Sequence, residues 1–392
     1  KTQSAELKRK LNAAIKAQRP AEEIASLRKR FLSVQTLAQR KLPRVHALAE
    51  SGDGGSIPIA TRGNPNIPGK VVPRRFLSAL GGLKTPLIRN GSGRLELARA
   101  IASPSNPLTA RVMVNRVWLH HFGAGLVRSP DNFGALGERP THPKLLDWLA
   151  VDFVEHGWSL KRLLREITLS HTYRQDSRFL PDNLAKDSRN RLLGRGPRFR
   201  LSAEVVRDQS LAASGLLTRK LGGPSVMPPQ PPGIWKSTYS GEKWKTATGP
   251  DRYRRGLYTY LKRTSPHPAM ITFDAGSGEV CQIRRIRTNT PLQALIVLND
   301  EAYLEAAGAL ASLMQKSSDK LDAQIPLGFR RVLVRPPEPG ELKRLIELYH
   351  QLTPEIPDKE DLLASASLKE GNPSLVALAN VLLNLDETLM KP

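Results

Sequence analysis

From residue 94 onward, apolar residues recur at the spacing of amphipathic helices, and this pattern persists for more than 100 residues. In "SGRLELARAIAS", for instance, Leu95, Ala98 and Ile101 fall on one stripe. Later runs begin near a capping residue or a proline and stop near a glycine; they include "NPLTARVMVNRVWLHHFG", "THPKLLDWLAVDFVEHG" and "SAEVVRDQSLAASG". Because apolar residues three and four positions apart share one helix face, the pattern predicts a mainly α, multi-helix globular domain.

One short stretch has the alternation of a β-strand instead. In "YRRGLYTYLKR", residues 253–263, Leu257 and Leu261 would face one side of a strand, and Tyr258 and Tyr260 the other. Glycine and proline are abundant, at 29 and 31 residues. We therefore expect a small β element and long Pro/Gly-rich connections.

Changes in composition predict three regions. The first, residues 1–48, contains two apolar-periodic segments broken at Arg19-Pro20, and we expect a basic helical hairpin. Residues 49–91 are rich in glycine and proline and predict an extended segment, and residues 92–392 form the helical domain. Since Lys1 already lies inside a helical pattern, we interpret the hairpin as the tail of an upstream module.

The charge is strongly positive and unevenly distributed. The net charge is +24, but residues 300–392 hold 10 Lys/Arg against 15 Asp/Glu, so the first 299 residues carry about +29. Such a basic region favours a polyanionic partner, which can be a nucleic acid, a sulfated or carboxylated glycan, or an anionic lipid surface. The acidic C-terminal segment could pair with the basic region, and this weakens the nucleic-acid interpretation.

Several classes of protein are excluded by what the sequence lacks. Cys281 is the only cysteine, which excludes an intrachain disulfide, a CxxCH haem attachment and a cysteine-based zinc site within this chain. No run of about 18 apolar residues occurs, so we predict no transmembrane segment, and no signal peptide is visible. We predict no metal site and no cofactor bound within this chain.

The helix that opens at Pro107 carries most of the polar candidates. His121 continues its apolar stripe and should face the core, whereas His120 lies about 100° away, beside Arg116. Adjacent helical histidines do not converge easily on one ion. Arg111 and Asn115, one turn apart, form a polar ridge that could be a structural hydrogen-bond network or an anion site.

Two carboxylates one helical turn apart offer the clearest route to catalysis. Glu204 and Asp208 could divide acid and base roles between them, and His120 is the other candidate for such chemistry. The alternative is a charged network with neighbouring arginines, namely Arg198, Arg200 and Arg207.

Two further basic segments suggest binding. Arg284, Arg285 and Arg287 stand directly before a predicted helix, where they could hold a phosphate, sulfate or carboxylate, or anchor the acidic C-terminal segment. Tyr258 and Tyr260 alternate with basic residues, as in surfaces that stack nucleic-acid bases or sugars; a sheet edge with solvated charges is the alternative.

A family resemblance begins at "SGRLELARAIASPSNPLTARVMVNRVWLHHFGAGLVRSPDNFGALGERPTHPKLLDWLA" and continues through "GWSLKRLLREITLSHTYRQ", "NRLLGRG", "RLSAEVVRDQSLAASG" and "RTNTPLQALIVLND". This succession resembles the planctomycete-specific domain of unknown function found with planctomycete-type cytochrome c domains, the PSD-one family. The resemblance extends from Ser92 to the end of the chain.

The resemblance implies a setting but no activity. Relatives are large exported proteins of planctomycetes and related bacteria, with a setting in electron transfer and polysaccharide breakdown. It therefore implies a location in the periplasm or at the cell surface, and haem c on an upstream domain or on a partner. This chain departs from that pattern in lacking the cytochrome portion.

Taken together, these features predict a polar cluster between helices that binds an anionic ligand such as an acidic polysaccharide, or docks a cytochrome-type redox partner. Its expected members are Arg111, Asn115, Arg116, His120, Glu204, Arg207 and Asp208. Two alternatives stay open. One is a polysaccharide-acting enzyme that uses the carboxylate pair or His120, and the other is a nucleic-acid-binding protein with one continuous basic face that includes Tyr258 and Tyr260.

Overall fold

The computed structural model describes residues 2–39, 47–50, 55–81, 87–88, 91–179, 181–235, 241–355, 359–366 and 371–391. These residues contain seventeen α-helices and two sheets of two strands each, which confirms a mainly α fold with a small β element. The helices are α1 (Thr2–Lys16), α2 (Ala21–Gln39), α3 (Ser78–Gly81), α4 (Arg94–Ile101), α5 (Thr109–Phe122), α6 (Pro143–Glu155), α7 (Leu160–Leu169), α8 (Pro181–Lys186), α9 (Ala203–Ala213), α10 (Pro268–Thr272), α11 (Pro291–Asn299), α12 (Glu301–Ser317), α13 (Leu321–Leu333), α14 (Pro339–Glu355), α15 (Lys359–Ser365), α16 (Pro373–Asn384) and α17 (Asp386–Leu389). The strands are β1 (Pro58–Ala60), β2 (Pro68–Val71), β3 (Phe199–Arg200) and β4 (Met390–Lys391).

The chain divides into two compact units, residues 1–101 and residues 102–392. In the first unit, α1 and α2 pack against each other on either side of the break at Pro20, and Leu11 and Ala14 are buried. Strands β1 and β2 pair antiparallel in the same unit. The apolar contacts of this unit are few, and most of its described residues between 55 and 81 are exposed.

The larger hydrophobic core of the second unit is built from helices of its C-terminal half. Helix α12 packs against α13 and α16, and Leu310, Met314, Leu378 and Leu382 are fully buried there. Gly328 on α13 allows the close approach, because a Cβ atom at that position would lie 2.5 Å from the sulfur of Met314. This rigid core supports α9, which leads out of β3.

The smaller core of the second unit consists of α5, α6 and α7. Val114 and Trp118 of α5 pack with Leu146 and Phe153 of α6 and with Leu163 of α7, and all five are at most 4% exposed. Apolar residues at helical spacing on three amphipathic segments thus bury one another, as the periodicity predicts.

Strands β3 and β4 join segments that are distant in sequence. They pair antiparallel, with Phe199 opposite Lys391 and Arg200 opposite Met390. The pairing places the end of the described chain beside the arginine-rich segment that precedes α9.

The strand predicted over residues 253–263 is wrong. Two short 3₁₀ helices, Gly249–Tyr253 and Gly256–Tyr258, occupy this region with isolated β-bridges. The reason is the burial of Arg254, which is 1% exposed and donates hydrogen bonds to the carbonyl oxygens of Pro224 and Gly222 at 3.0 and 2.5 Å. Gly256 also packs tightly on α9, where a Cβ atom would lie 2.8 Å from the Cα of Glu204. The alternating apolar and polar residues of this segment therefore reflect the local burial of Arg254 and Gly256 and not the pairing of a β-strand.

Two absences hold for the described part of the chain. Within it, no helix has both the length and the apolar character needed to cross a bilayer. Nor do three His, Cys, Asp or Glu side chains come together there in an arrangement that could hold a metal ion.

Candidate anion-binding site

A pocket of about 340 Å³ opens in the second unit between the end of α5 and the segment that leads into β3. Its lining includes Trp118, Phe122, Phe179 and Phe199 together with main-chain atoms of several glycines. All of its charged lining residues among those described are arginines, namely Arg128, Arg189, Arg191, Arg195 and Arg198. We call this cavity the arginine pocket. Guanidinium groups facing a concave, partly apolar space are well suited to hold an anion.

One wall of the arginine pocket is fixed by Asn115. Helix α5 ends at Gly123, whose φ of 75° permits the chain to reverse. The Nδ2 of Asn115 donates to the carbonyl oxygen of Val127 at 3.0 Å, and the Val127 amide donates to Oδ1 at 2.8 Å. Gly125 lies under this pair, because a Cβ atom there would come within 2.7 Å of the Asn115 amide. The segment 123–127 is thereby held against the smaller core.

The opposite wall is organised around Arg195, which is only 8% exposed. Its guanidinium donates to the carbonyl oxygens of Asp187 and Ser188 at 3.0 and 2.9 Å. The side-chain amide of Asn190 in turn bonds the main-chain carbonyl and amide of Arg195 at 2.9 and 3.3 Å. These bonds fix the direction of the Arg195 guanidinium before any ligand arrives.

The same wall contains backbone strain. Asn190 and Leu193 both line the pocket with left-handed φ values of 47° and 57°. Asparagine tolerates this conformation, but a leucine there is unusual and costs about 1–3 kcal/mol. Such strain persists only where the surrounding contacts hold the backbone in place, and it tends to accumulate at binding sites.

The charges around the pocket are incompletely neutralised. Burial, and then the charge on Arg191, lower the pKa of Arg128 from its ordinary value, and Glu138 acts in the opposite direction. Arg191 lies 3.5 Å from Glu138, and Arg198 lies 3.0 Å from Asp386. Neither carboxylate lines the pocket, so the charged side chains described in its lining are all cationic.

Arg189 is the arginine of the pocket most available to a ligand. It is exposed, and within the described ranges its side chain makes no hydrogen bond or ion pair. Its main-chain carbonyl accepts a hydrogen bond from Arg128 at 2.7 Å, which ties the two residues together.

A second group of basic residues lies next to the pocket, and we call it the basic strip: Arg116, His120, Arg287 and Lys391. The guanidinium of Arg287 lies 4.4 Å from the centre of the Phe199 ring. Loss of surrounding water, followed by the charges on Arg287, His121 and Arg116, lowers the pKa of His120. Lys391 lies across the β3–β4 pair from Phe199, and burial lowers its pKa.

The structure thus brings together three of the sequence-predicted residues, Arg116, His120 and Arg287. Arg287 was predicted in a separate basic segment, whereas Arg116 and His120 belong to the predicted inter-helix cluster. Of that cluster, Asn115 holds the pocket wall, and the remaining members lie elsewhere in the unit. Arg111 is bound to Asp147 at 2.7 Å. Arg207 is 6% exposed and donates to the carbonyl oxygen of Arg252 at 2.8 Å.

The two carboxylates predicted as an acid/base pair are each held by an arginine. Glu204 accepts hydrogen bonds from Arg285 at 2.9 and 2.8 Å. Burial acts to raise the pKa of Glu204, but the bonds from Arg285 bring it below its ordinary value. Asp208 accepts from Arg255 at 3.0 Å and from the amide of Gly256 at 2.6 Å. The lowered pKa keeps the Glu204 carboxyl ionised and makes it poorly suited to donate a proton.

The remaining predicted arginines show how the expected network differs from the observed one. Arg284 and Arg285 line a separate cavity of about 490 Å³ beside Cys281. Arg198 and Arg200, expected beside the Glu204–Asp208 pair, lie 3.0 and 3.4 Å from Asp386 instead.

The sequence predicts none of the five pocket arginines as a ligand-binding residue. It singles out only Arg198, as a partner of the Glu204 and Asp208 carboxylates. A signal for the group was present, since "RNRLLGRGPRFR" places five arginines in the twelve residues 189–200. The two glycines of this run mark a loop, and arginines on a loop can converge where helical ones cannot.

Comparison with known families identifies the family of the chain. The profile of PSD1, described as "Protein of unknown function (DUF1553)", matches residues 93–349, which is well over half of the chain. The chain belongs to the PSD1 family. No curated protein and no solved structure matches it. All lining residues of the arginine pocket lie inside the part that matches PSD1, as do three members of the basic strip; Lys391 lies outside it.

Proposed function

We propose that this PSD1 domain binds an anionic ligand in the arginine pocket. The observation that carries the proposal is the composition of its lining, in which the five charged residues described are all arginines. Like charges brought together repel one another, and an anion bound among them removes that repulsion.

The size and walls of the pocket indicate the class of ligand. A volume of about 340 Å³ suits a small molecule or one unit of a polymer. Guanidinium forks match carboxylate and sulfate groups, which they bind through paired hydrogen bonds. Guanidinium groups lie over the aromatic rings of the lining, since Arg195 is 5.1 Å from the centre of the Phe179 ring and Arg287 is 4.4 Å from the centre of the Phe199 ring. The ligand is therefore recognised by its charge. A sugar that carries a carboxylate or a sulfate combines these features.

The observations favour binding over catalysis. Glu204 and Asp208 do not line the arginine pocket, and each is bound to an arginine of its own. His120 lies in the basic strip with no carboxylate to orient it among the described residues. We therefore assign none of the three an acid or base role in this proposal.

The wider setting is part of the proposal and derives from the family resemblance. We infer an exported protein, located in the periplasm or at the cell surface, whose relatives combine this domain with a cytochrome that carries haem c. A basic face could also dock an acidic cytochrome-type partner through complementary charge. The concave shape of the arginine pocket favours a small anionic group over a flat protein surface.

The test is a measurement of binding to the purified full chain by calorimetry. The probes are digalacturonate, a sulfated heparin-derived disaccharide, and neutral cellobiose as the uncharged control. We expect at least one of the two anionic disaccharides to bind, and we expect no binding of cellobiose. Arg189→Ala should weaken that binding about tenfold to a hundredfold, because a hydrogen bond to a charged group contributes about 1.5–3 kcal/mol.

Arg219→Ala is the matched control, since Arg219 is exposed and does not line the pocket. Equal affinity for charged and neutral disaccharides would overturn the proposal. So would an Arg189→Ala variant that binds as tightly as Arg219→Ala.

A further inference from the structure

The basic strip holds cations that the fold leaves without counter-charges. Within the described ranges, Arg116, Arg287 and Lys391 have no ion pair and no hydrogen bond from their charged groups. Arg287 experiences the repulsion of Arg285 as well as loss of water, and both lower its pKa. The packing of the protein brings these charges together, and no carboxylate of the described residues forms an ion pair with them.

The strip is continuous with the arginine pocket through one aromatic residue. Phe199 lines the pocket, and the guanidinium of Arg287 lies over its ring at 4.4 Å. Lys391 is the residue directly opposite Phe199 in the β3–β4 pair, so the two side chains share one face of this short sheet. Gly123, at the end of α5, supports the same ring, because a Cβ atom there would lie 2.6 Å from Phe199. A ligand that leaves the pocket past Phe199 therefore meets Arg287 and Lys391 next.

We propose that the basic strip is a second subsite for the same ligand, and that the domain takes a linear acidic polysaccharide. The first disaccharide unit of the polysaccharide occupies the arginine pocket, and the next anionic sugar lies beside Phe199 against Arg287 and Lys391. This inference rests on the proposed function, since it assigns the pocket to the first of the two units.

The aromatic rings near the basic strip favour a polysaccharide over a nucleic acid as the ligand. Single-stranded nucleic acids gain much of their affinity by stacking bases on free ring faces. Here Arg287 covers a face of Phe199, and the ammonium of Lys391 lies 4.3 Å from the centre of the Tyr173 ring. Tyr258 is engaged too, with Arg254 over its ring at 3.7 Å and its hydroxyl accepting from Gly222 at 2.7 Å. Charged sugars need the cations themselves and not the ring faces beneath them.

The experiment compares short and long ligands on the full chain. Oligogalacturonates and heparin-derived oligosaccharides of two and six sugars are titrated into wild type, Arg287→Ala, Lys391→Met, Arg189→Ala and the control Arg219→Ala. In wild type, the six-sugar ligand should bind at least tenfold more tightly than the two-sugar ligand. Arg287→Ala and Lys391→Met should each reduce this advantage about threefold to tenfold and leave the affinity for the disaccharide unchanged. Melting temperatures verify that each variant is folded.

The outcomes separate the two proposals. If Arg287→Ala and Lys391→Met keep the full advantage of the longer chain, the second subsite is wrong, while a loss of disaccharide binding in Arg189→Ala still supports the pocket. If Arg189→Ala leaves disaccharide binding intact, the proposed function itself fails. A single-stranded oligonucleotide that binds more tightly than either hexasaccharide would overturn the assignment to a polysaccharide.

Discussion

Asn115 and Val127 exchange two hydrogen bonds inside the second unit, at 3.0 Å from Nδ2 to the carbonyl oxygen and at 2.8 Å from the amide to Oδ1. Asn115 is 1% exposed, so it acts as a buried substitute for a β-ladder partner. The sequence predicts Asn115 as a ligand-binding residue. In the structure Asn115 does not line the arginine pocket but fixes the segment 123–127 that forms one of its walls. We therefore interpret it as a positioning residue.

Replacing Asn115 with alanine should destabilise the protein and weaken anion binding together. The substitution leaves the amide and the carbonyl of Val127 without partners, and each buried unsatisfied group costs about 1–3 kcal/mol. We expect the free energy of unfolding in urea to fall by about 2–4 kcal/mol. Arg116→Ala, on the exposed side of the same helix, should change it by less than about 0.5 kcal/mol. An Asn115→Ala variant as stable as Arg116→Ala would contradict the assignment.

Arg195→Lys tests whether the fixed guanidinium matters beyond its charge. A lysine ammonium keeps the positive charge but cannot bond the carbonyls of Asp187 and Ser188 and also present a fork to the ligand. We expect affinity for the anionic disaccharide to fall about tenfold, equivalent to about 1.4 kcal/mol. Arg198→Lys is the comparison, because Arg198 is exposed and bound to Asp386 at the surface; its effect should be clearly smaller. Equal effects would mean that charge alone decides.

His267 should make the protein less stable in mild acid. Burial lowers the pKa of His267 to about 4, even though its Nε2 lies 2.8 Å from the carbonyl oxygen of Pro229. The unfolded chain binds a proton near pH 6.5 and the folded chain only near pH 4, so stability is complete above pH 6.5 and falls as the pH drops toward 4. The loss from this residue is about 3 kcal/mol. Urea unfolding at pH 7 and pH 4.5 should show a smaller difference in His267→Gln than in wild type.

Asp300 acts in the opposite direction over nearly the same range. Burial raises its pKa to about 6, so the folded chain holds a proton that the unfolded chain has lost above about pH 4. Its contribution is therefore present in acid and is lost as the pH rises from about 4 to 6. Asp300 caps α12 by accepting a hydrogen bond from the amide of Ala302 to Oδ1 at 3.0 Å. The asparagine of Asp300→Asn keeps the acceptor oxygen at this position but does not titrate. We expect this variant to lose more stability than wild type between pH 7 and pH 4.5, and an unchanged loss would refute the shift.

Local signals in the sequence predict the helices well. The run expected from Pro107 to Gly123 forms α5, and Gly123 ends it in the left-handed conformation. The run expected between Ser202 and Gly215 forms α9. Apolar periodicity, prolines at the starts and glycines at the ends suffice here, because each signal and the structure it specifies lie within a few residues.

The candidate site was harder to predict because it depends on contacts between distant residues. Phe199 and Lys391 pair across 192 positions, and strands of two residues carry no period that a sequence pattern can show. Arg200 was expected beside Glu204 but pairs with Asp386, which lies 186 positions away. The residues after Arg254 alternate as in a strand, and this predicted a β-strand. No sequence pattern indicates that a charged side chain will be buried among carbonyl oxygens, as Arg254 is.

The pairing of β3 with β4 also ties the ligand site to the order in which the chain is made. Every lining residue of the arginine pocket has been synthesised by residue 199, yet Lys391 must emerge before the sheet beside Phe199 can close. A nascent chain on the ribosome therefore has its pocket arginines, without the completed strip, while residues 200 to 391 are synthesised. On the proposed function, binding of a long ligand therefore requires that β4, which follows α16 and α17, has paired with β3.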